Sequence, residues 1–470
     1  MSQALNANFT GYPVEEVVPD AAMVKGVSRS SLLTGRRRIR LQPQTGTSAS
    51  ANSIIQFVLA DSSSLCDLNS AVLSYTITTT GTGDTSLDDG PAWCRRATIA
   101  LNGTNIDDTD LANRWANAQV YAGADRSTYQ GPLSFAGFWA QNPNLPSGTA
   151  YGTSNPNYMV GDVSGALVSS SVRYKAGAQY AIPLSMISKF FGTKQYLPLA
   201  QCGELVIQLL CATNAEAIIQ RSGATDGAYT LTNIFLEVDM VQPHFLYAEM
   251  LNRVSQLEGE QGVVVPFNAV ISAQGQSVTG SGQANIVTSL ATNNLRKVIV
   301  TMSPTDYLAS INYPSVSAFG NHSLSGLQFR CGSLYFPSQE AVNNGSIWWM
   351  TSSAFAGGEP LHVRNGIIDY QTFTKTTGPA PAAVNVTGVT QKQYWADSCV
   401  IGYGFDNFKG GEPLDADGIS VLGQAGSQLV TLLRIAPSAT YFPSGITPNI
   451  HLERTRYLVL KNGALRVEGV

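Results

Sequence analysis

Charge is what this sequence has least of. Only 13% of its 470 residues are Asp, Glu, Lys or Arg, about half the roughly 25% of an average soluble protein. The shortage excludes long solvated Lys/Glu helices and suits a chain much of whose surface is covered by neighbours. A formal net charge of −4 gives no overall basic field, which argues against nucleic acid as the principal ligand and leaves only local patches open. Histidine is scarce too. His244, His322, His362 and His451 are isolated, with neither an H-x-H nor an H-E-x-x-H pattern to hold a metal. No G-x-S-x-G elbow and no phosphate-binding loop occurs, and Gly280-Ser281-Gly282 lacks the third glycine of a dinucleotide fingerprint, so it reads as a turn. No cofactor, metal or catalytic constellation is therefore expected. The six cysteines, Cys66, Cys94, Cys202, Cys211, Cys331 and Cys399, form no C-x-x-C pair and are expected to be buried free thiols. No run of about 18 apolar residues is present to span a bilayer, and the first residues lack the charged and apolar regions of a secretory signal. A soluble, intracellular product is expected, with the sequons at Asn8, Asn102, Asn321, Asn344 and Asn385 arising by chance in an Asn/Thr-rich composition.

What is present is extended structure. Ile54–Leu59 is compactly apolar, and Asp67–Thr79 is rich in β-branched and aromatic residues, as strands are. Ala97–Ile106 alternates Ile99 and Leu101 before Asn102-Gly103, a strong hairpin signal. Asp107, Asp108 and Asp110 lack the spacing of a calcium loop and read as capping for a helix carrying Leu111, Trp115, Ala118 and Ala122. From Tyr180 to Leu210 the pattern is strand, short helix, strand. Pro183 opens an amphipathic run that closes at Gly192, the expected placement of Pro and Gly around a helix of about two turns. Leu205–Leu210 is nearly pure apolar, as a strand buried between two layers would be. The Gly/Ser/Asn-rich segment Tyr129–Tyr174 is too long for an ordinary connection and points to a functional surface loop. Thr374–Thr387 is a second, Pro/Ala/Thr-rich loop. Near the N-terminus, Arg36, Arg37, Arg38 and Arg40 make either a basic arm for an acidic partner, lipid or nucleic acid, or a solvated lead-in to the first strand.

The pattern restarts after the charged run Ala248–Gln261. Strands are expected at Val263–Ile271, Leu295–Met302, Gly326–Phe336, Cys399–Phe405, Gln428–Ile435 and Asn449–Leu460, and Ser346–Met350 carries Trp348 and Trp349. Three segments of the first half have counterparts in the second. They are Leu205–Leu210 with Leu429–Leu433, Asn233–Glu237 with Asn449–Glu453, and Leu68–Thr76 with Leu295–Ser303, all spaced by about 220 residues. Constant order and spacing predict two copies of one β domain. The chain divides into an N-terminal arm (1–50), a first domain (51–247), a linker (248–262) and a second domain (263–470).

Several of these stretches resemble one family. Ile182-Pro183-Leu184, Phe190-Phe191, Tyr196-Leu197-Pro198-Leu199 and Glu204–Ile207 resemble the strand, helix, strand passage of the double-jelly-roll major capsid proteins of icosahedral double-stranded DNA viruses, the lineage of adenoviruses, virophages, polinton-like viruses and large algal viruses. Ala97–Ile106, Phe235–Arg253 and Tyr457–Val467 resemble further strands and the connector of that family. The long Tyr129–Tyr174 segment departs from it. The resemblance implies an all-β chain of two consecutive eight-stranded antiparallel jelly-roll sandwiches with short helices and long surface loops. It also implies a non-enzymatic homotrimer forming a pseudo-hexagonal capsomer in the virion shell, made and assembled inside a host cell. Implied partners are neighbouring capsomers, penton and minor capsid proteins, and an inner membrane or genome reached by Arg36, Arg37, Arg38 and Arg40. Two alternatives stand beside it: a carbohydrate-binding or fibre-type β protein, suggested by the scattered aromatics, and a β-sandwich hydrolase, whose carboxylates would meet only in the fold. Glu237 and Asp239, neighbours along one strand edge, are weak candidates for such a pair.

Overall fold

The computed structural model describes residues 33–138 (except 83–84, 125–127 and 129–131), 179–243 (except 221–224) and 263–355 (except 281, 290–291, 293, 309, 312–314, 318 and 322). Beyond these it describes 384–386, 389–391, 399–405, 418–421, 428–436, 444–461 and 464–468. The first 32 residues, most of the loops 129–174 and 374–387, the linker 248–262, and His244, His322 and His362 lie outside the described residues.

Eight principal strands come from the first half of the chain: β1 (Leu33–Leu41), β2 (Ile54–Leu59), β3 (Leu65–Thr80), β4 (Cys94–Leu101), β5 (Thr104–Asp110), β6 (Gln179–Pro183), β7 (Leu205–Cys211) and β8 (Ala228–Pro243). Eight more come from the second: β9 (Val263–Gln274), β10 (Gly282–Ser289), β11 (Leu295–Pro304), β12 (Gly326–Cys331), β13 (Leu334–Ala341), β14 (Val400–Gly404), β15 (Gln428–Ile435) and β16 (Ile446–Lys461). The first set forms two antiparallel sheets in the orders β1-β8-β3-β6 and β2-β7-β4-β5; the second forms β9-β16-β11-β14 and β10-β15-β12-β13. Adding eight to every label of the first pair gives the second. Each pair is an eight-stranded jelly roll, two facing four-stranded sheets. In each, a helix follows the fifth strand: α1 (Ala112–Gly123) and α2 (Asn344–Phe355). The three sequence repeats fall on equivalent strands, β7 with β15, β8 with β16 and β3 with β11.

Strand alternation builds the cores. Leu73, Tyr75 and Ile77 on β3 face Ile99 and Leu101 on β4 and Ile207 and Leu209 on β7. Val298, Val300 and Met302 on β11 face Phe329 on β12 and Leu429 and Leu433 on β15. The hairpin between β4 and β5 turns at Asn102-Gly103, both at positive φ (47° and 76°), the left-handed conformation that a two-residue turn requires.

Four expectations are corrected. Leu33–Leu41, placed in the arm, is an ordered edge strand paired along β8. The helix expected over Pro183–Gly192 is two 3-10 turns, Leu184–Met186 and Lys189–Gly192, because Ser188 between them is extended (φ −137°, ψ 128°). Leu184, Ile187, Phe190 and Phe191 all still reach the core. Leu205–Leu210 is an interior strand but not one covered on both faces. Leu205, Ile207 and Leu209 are buried, whereas Val206, Gln208 and Leu210 are half-buried. The acidic cluster does not cap α1, whose N-terminal flank is Leu111 in left-handed geometry with no side-chain cap.

Candidate assembly surfaces

The arginines on β1 are matched locally. Asp239 and Glu237 alternate on β8 directly across from Arg38 and Arg40, so the pleat puts acid and base on one face. Asp239 accepts from Arg36 Nε (2.9 Å) and Arg38 Nε (2.8 Å), and Glu237 from Arg40 Nη2 (2.8 Å). Arg36 Nη2 also reaches Asp67 (3.1 Å), Arg37 reaches Asp61 (2.8 Å), and the Arg40 guanidinium lies 4.0 Å from the Phe235 ring centre. The hydrogen bond from Arg38, then that from Arg36, holds the Asp239 carboxyl below the usual carboxylate range. Four guanidinium groups thus meet four carboxylates, and each arginine side chain stays 55–65% exposed. The ladder keeps donors and planar faces on the surface with no uncompensated charge.

The three aspartates after the hairpin serve the sandwich and its junction with the second one. Asp108 pairs with Arg96, and Asp110 with Arg95. Asp107 is buried and accepts from Ser188 Oγ and Thr109 Oγ1. Burial pushes its pKa up to about 6 against those hydrogen bonds and the nearby Arg456.

Between the sandwiches runs a continuous seam. Val265, Phe267 and Ala269 on β9, with Leu458 and Leu460 on β16, belong to the apolar core of the first sandwich. Phe190 and Phe267 pack edge to face at 5.2 Å, and Tyr121 meets Phe319 at 6.0 Å. A buried polar network fixes the register. Arg114 on α1, 2% exposed, donates to Asn449 Oδ1 (3.3 Å), Ser315 Oγ (3.4 Å) and Glu216 Oε1 (3.4 Å). Asp88 accepts from the backbone N–H groups of Val316 (2.8 Å) and Ser317 (3.3 Å), and Arg456 Nη1 donates to the Ile106 carbonyl (2.6 Å). Burial lowers the Arg114 pKa to about 10 and raises that of Asp88. Such a network specifies one geometry more than it adds stability. None of Asp88, Arg114, Glu216, Asn449 or Arg456 stands out in the sequence, because their partners lie one to three hundred residues away.

The six cysteines are buried, and burial pushes the Cys66 and Cys202 thiols up to about 12, away from the thiolate form. Burial, then Arg114, depresses His451 to about 3; its Nδ1 lies 2.7 Å from Ser272 Oγ, and it stays neutral near pH 7. Among the described residues no three potential metal ligands converge. Glu237 and Asp239 are tied up in the arginine ladder.

No protein-family model matches the chain, and no curated protein matches it by sequence. Solved structures do match. The VP54 protein of PBCV-1, as fitted into a reconstruction of the virophage Sputnik, aligns at 11% identity with a TM-score of 0.60, over 95% of this chain and 99% of that one. The Faustovirus major capsid protein aligns at 10% identity and 0.56, over 98% and 97%, and the mavirus major capsid protein at 14% and 0.50, over 98% and 95%. This chain has the double-jelly-roll fold of those viral major capsid proteins.

Proposed function

We propose that this chain is the major capsid protein of an icosahedral double-stranded DNA virus, a non-enzymatic building block that forms homotrimeric, pseudo-hexagonal capsomers. The observation that carries the proposal is the repeat of one jelly roll in strict topological register, locked by the seam into a fixed two-sandwich unit. Alignment over 98% of this chain to the Faustovirus and mavirus major capsid proteins supports it. Three such units place six similar sandwiches around an axis, so one chain can tile hexagonal positions in a shell. The partners are then other copies, neighbouring capsomers, and the penton and minor capsid proteins that close a shell. Negative-stain microscopy of the purified chain tests this: particles with a hexagonal outline are expected, and elongated fibres or isolated two-lobed particles would contradict it.

A further inference from the structure

The two sandwiches share a topology but not an environment. Within the chain, β5 and α1 of the first sandwich are covered by the second: β5 packs on β9, Arg456 donates to the Ile106 carbonyl on β5, and nine residues of α1 are buried. The equivalents in the second sandwich, β13 and α2, are more open, although α2 lies along β14 and touches α1. Only Ile347 and Thr351 of α2 are buried. Leu334 (52% exposed), Tyr335 (44%), Val342 (62%) and Trp349 (59%) make this edge the main concentration of exposed large apolar side chains among the described residues. Conversely, the strand equivalent to β9 in the first sandwich is β1, an edge strand with its arginine ladder open to solvent.

We infer that β1 of one copy docks on the β13–α2 edge of a second copy, repeating between chains the contact that β9 makes with β5 within the chain. The chemistry matches. Arg36, Arg38 and Arg40 share one face of β1, and an arginine whose charge is already balanced by a carboxylate can still stack on an indole or donate to a strand carbonyl. Tyr335 and Trp349 supply the rings and β13 an open strand edge, just as Ile106 supplies a carbonyl to Arg456 inside the chain. The contact is heterologous, so it propagates from copy to copy until a ring closes. The inference rests on the proposed capsomer and assigns its interface.

The test is p-benzoylphenylalanine in place of Trp349, irradiated in trimers reassembled from equal amounts of 15N-labelled and unlabelled full-length chain. Cross-links to peptides covering 33–41 or 228–243, half of them joining heavy to light chains, are expected. Trimers that cross-link elsewhere, or not at all, overturn this interface and leave the capsomer standing; a monomeric parent chain overturns both. As a second variant, Arg36→Ser/Arg38→Ser/Arg40→Ser should keep the parental circular dichroism and dissociate at concentrations at least about tenfold higher, from the loss of about 1.4 kcal/mol or more. Unchanged trimers that instead lose binding to anionic vesicles or DNA would assign the ladder to the particle interior and overturn the inference.

Discussion

Asp107 sits where β5, the extended residue Ser188 and β16 meet, and its charged neighbours there are Arg454 and Arg456 of β16. Its folded pKa, about 6, lies above the ordinary carboxylate value near 4, so the native chain holds this proton more tightly than the unfolded chain. That contribution is fully present below about pH 4 and is lost as the pH rises through about 6. Asp107→Asn is therefore expected to melt higher than the parent at pH 7.5, with the gap closing toward pH 4, as scanning calorimetry at both pH values would record. Arg114 poses the opposite case. Its removal leaves Asn449 without a donor and loosens Glu216, so Arg114→Ala should cost about 3–5 kcal/mol by denaturant unfolding. The arginines of β1, solvated and individually paired, should each be dispensable for folding, because exposed ion pairs contribute little. At this scale the sequence offers residue types and not partners. The acids after Asn102-Gly103 look like helix caps from spacing alone, and only the fold shows Asp107 turned inward against Ser188.

Among the elements, those legible in the sequence carry their own pattern. The β4–β5 hairpin is encoded by alternation and an Asn-Gly turn, and α1 by the spacing of Trp115 and Ala118. β1 is hidden because its order comes from β8, two hundred residues away. Four arginines obscure its alternation, and two of their counter-charges, Glu237 and Asp239, belong to the other strand. The turns after β6 mislead for a different reason. Proline before and glycine after suggest one helix, but Ser188 is extended and divides the run into two short 3-10 turns, a break that no residue type in the run announces. The second of these turns joins the sandwiches through Phe190. Phe190→Ala removes the edge-to-face contact with Phe267 from a fully packed site, and about 3–5 kcal/mol of stability should go with it. Chemical denaturation should then lose cooperativity, with the two sandwiches unfolding separately; a single unshifted transition would show the seam to be dispensable.

For the whole molecule, duplication was legible because strands β3, β7 and β8 kept enough of their apolar order to match β11, β15 and β16. The seam was not, since it is made of contacts between halves that no local period records. The asymmetry it creates, nine buried residues on α1 against two on α2, is what the proposed interface between copies uses. The central claim is that the chain's stable state is the closed trimer, and its mass tests that most directly. Multi-angle light scattering of the purified full-length chain should give a single species of about three times 50.0 kDa, unchanged on dilution. A species of 50.0 kDa at every concentration would contradict the account.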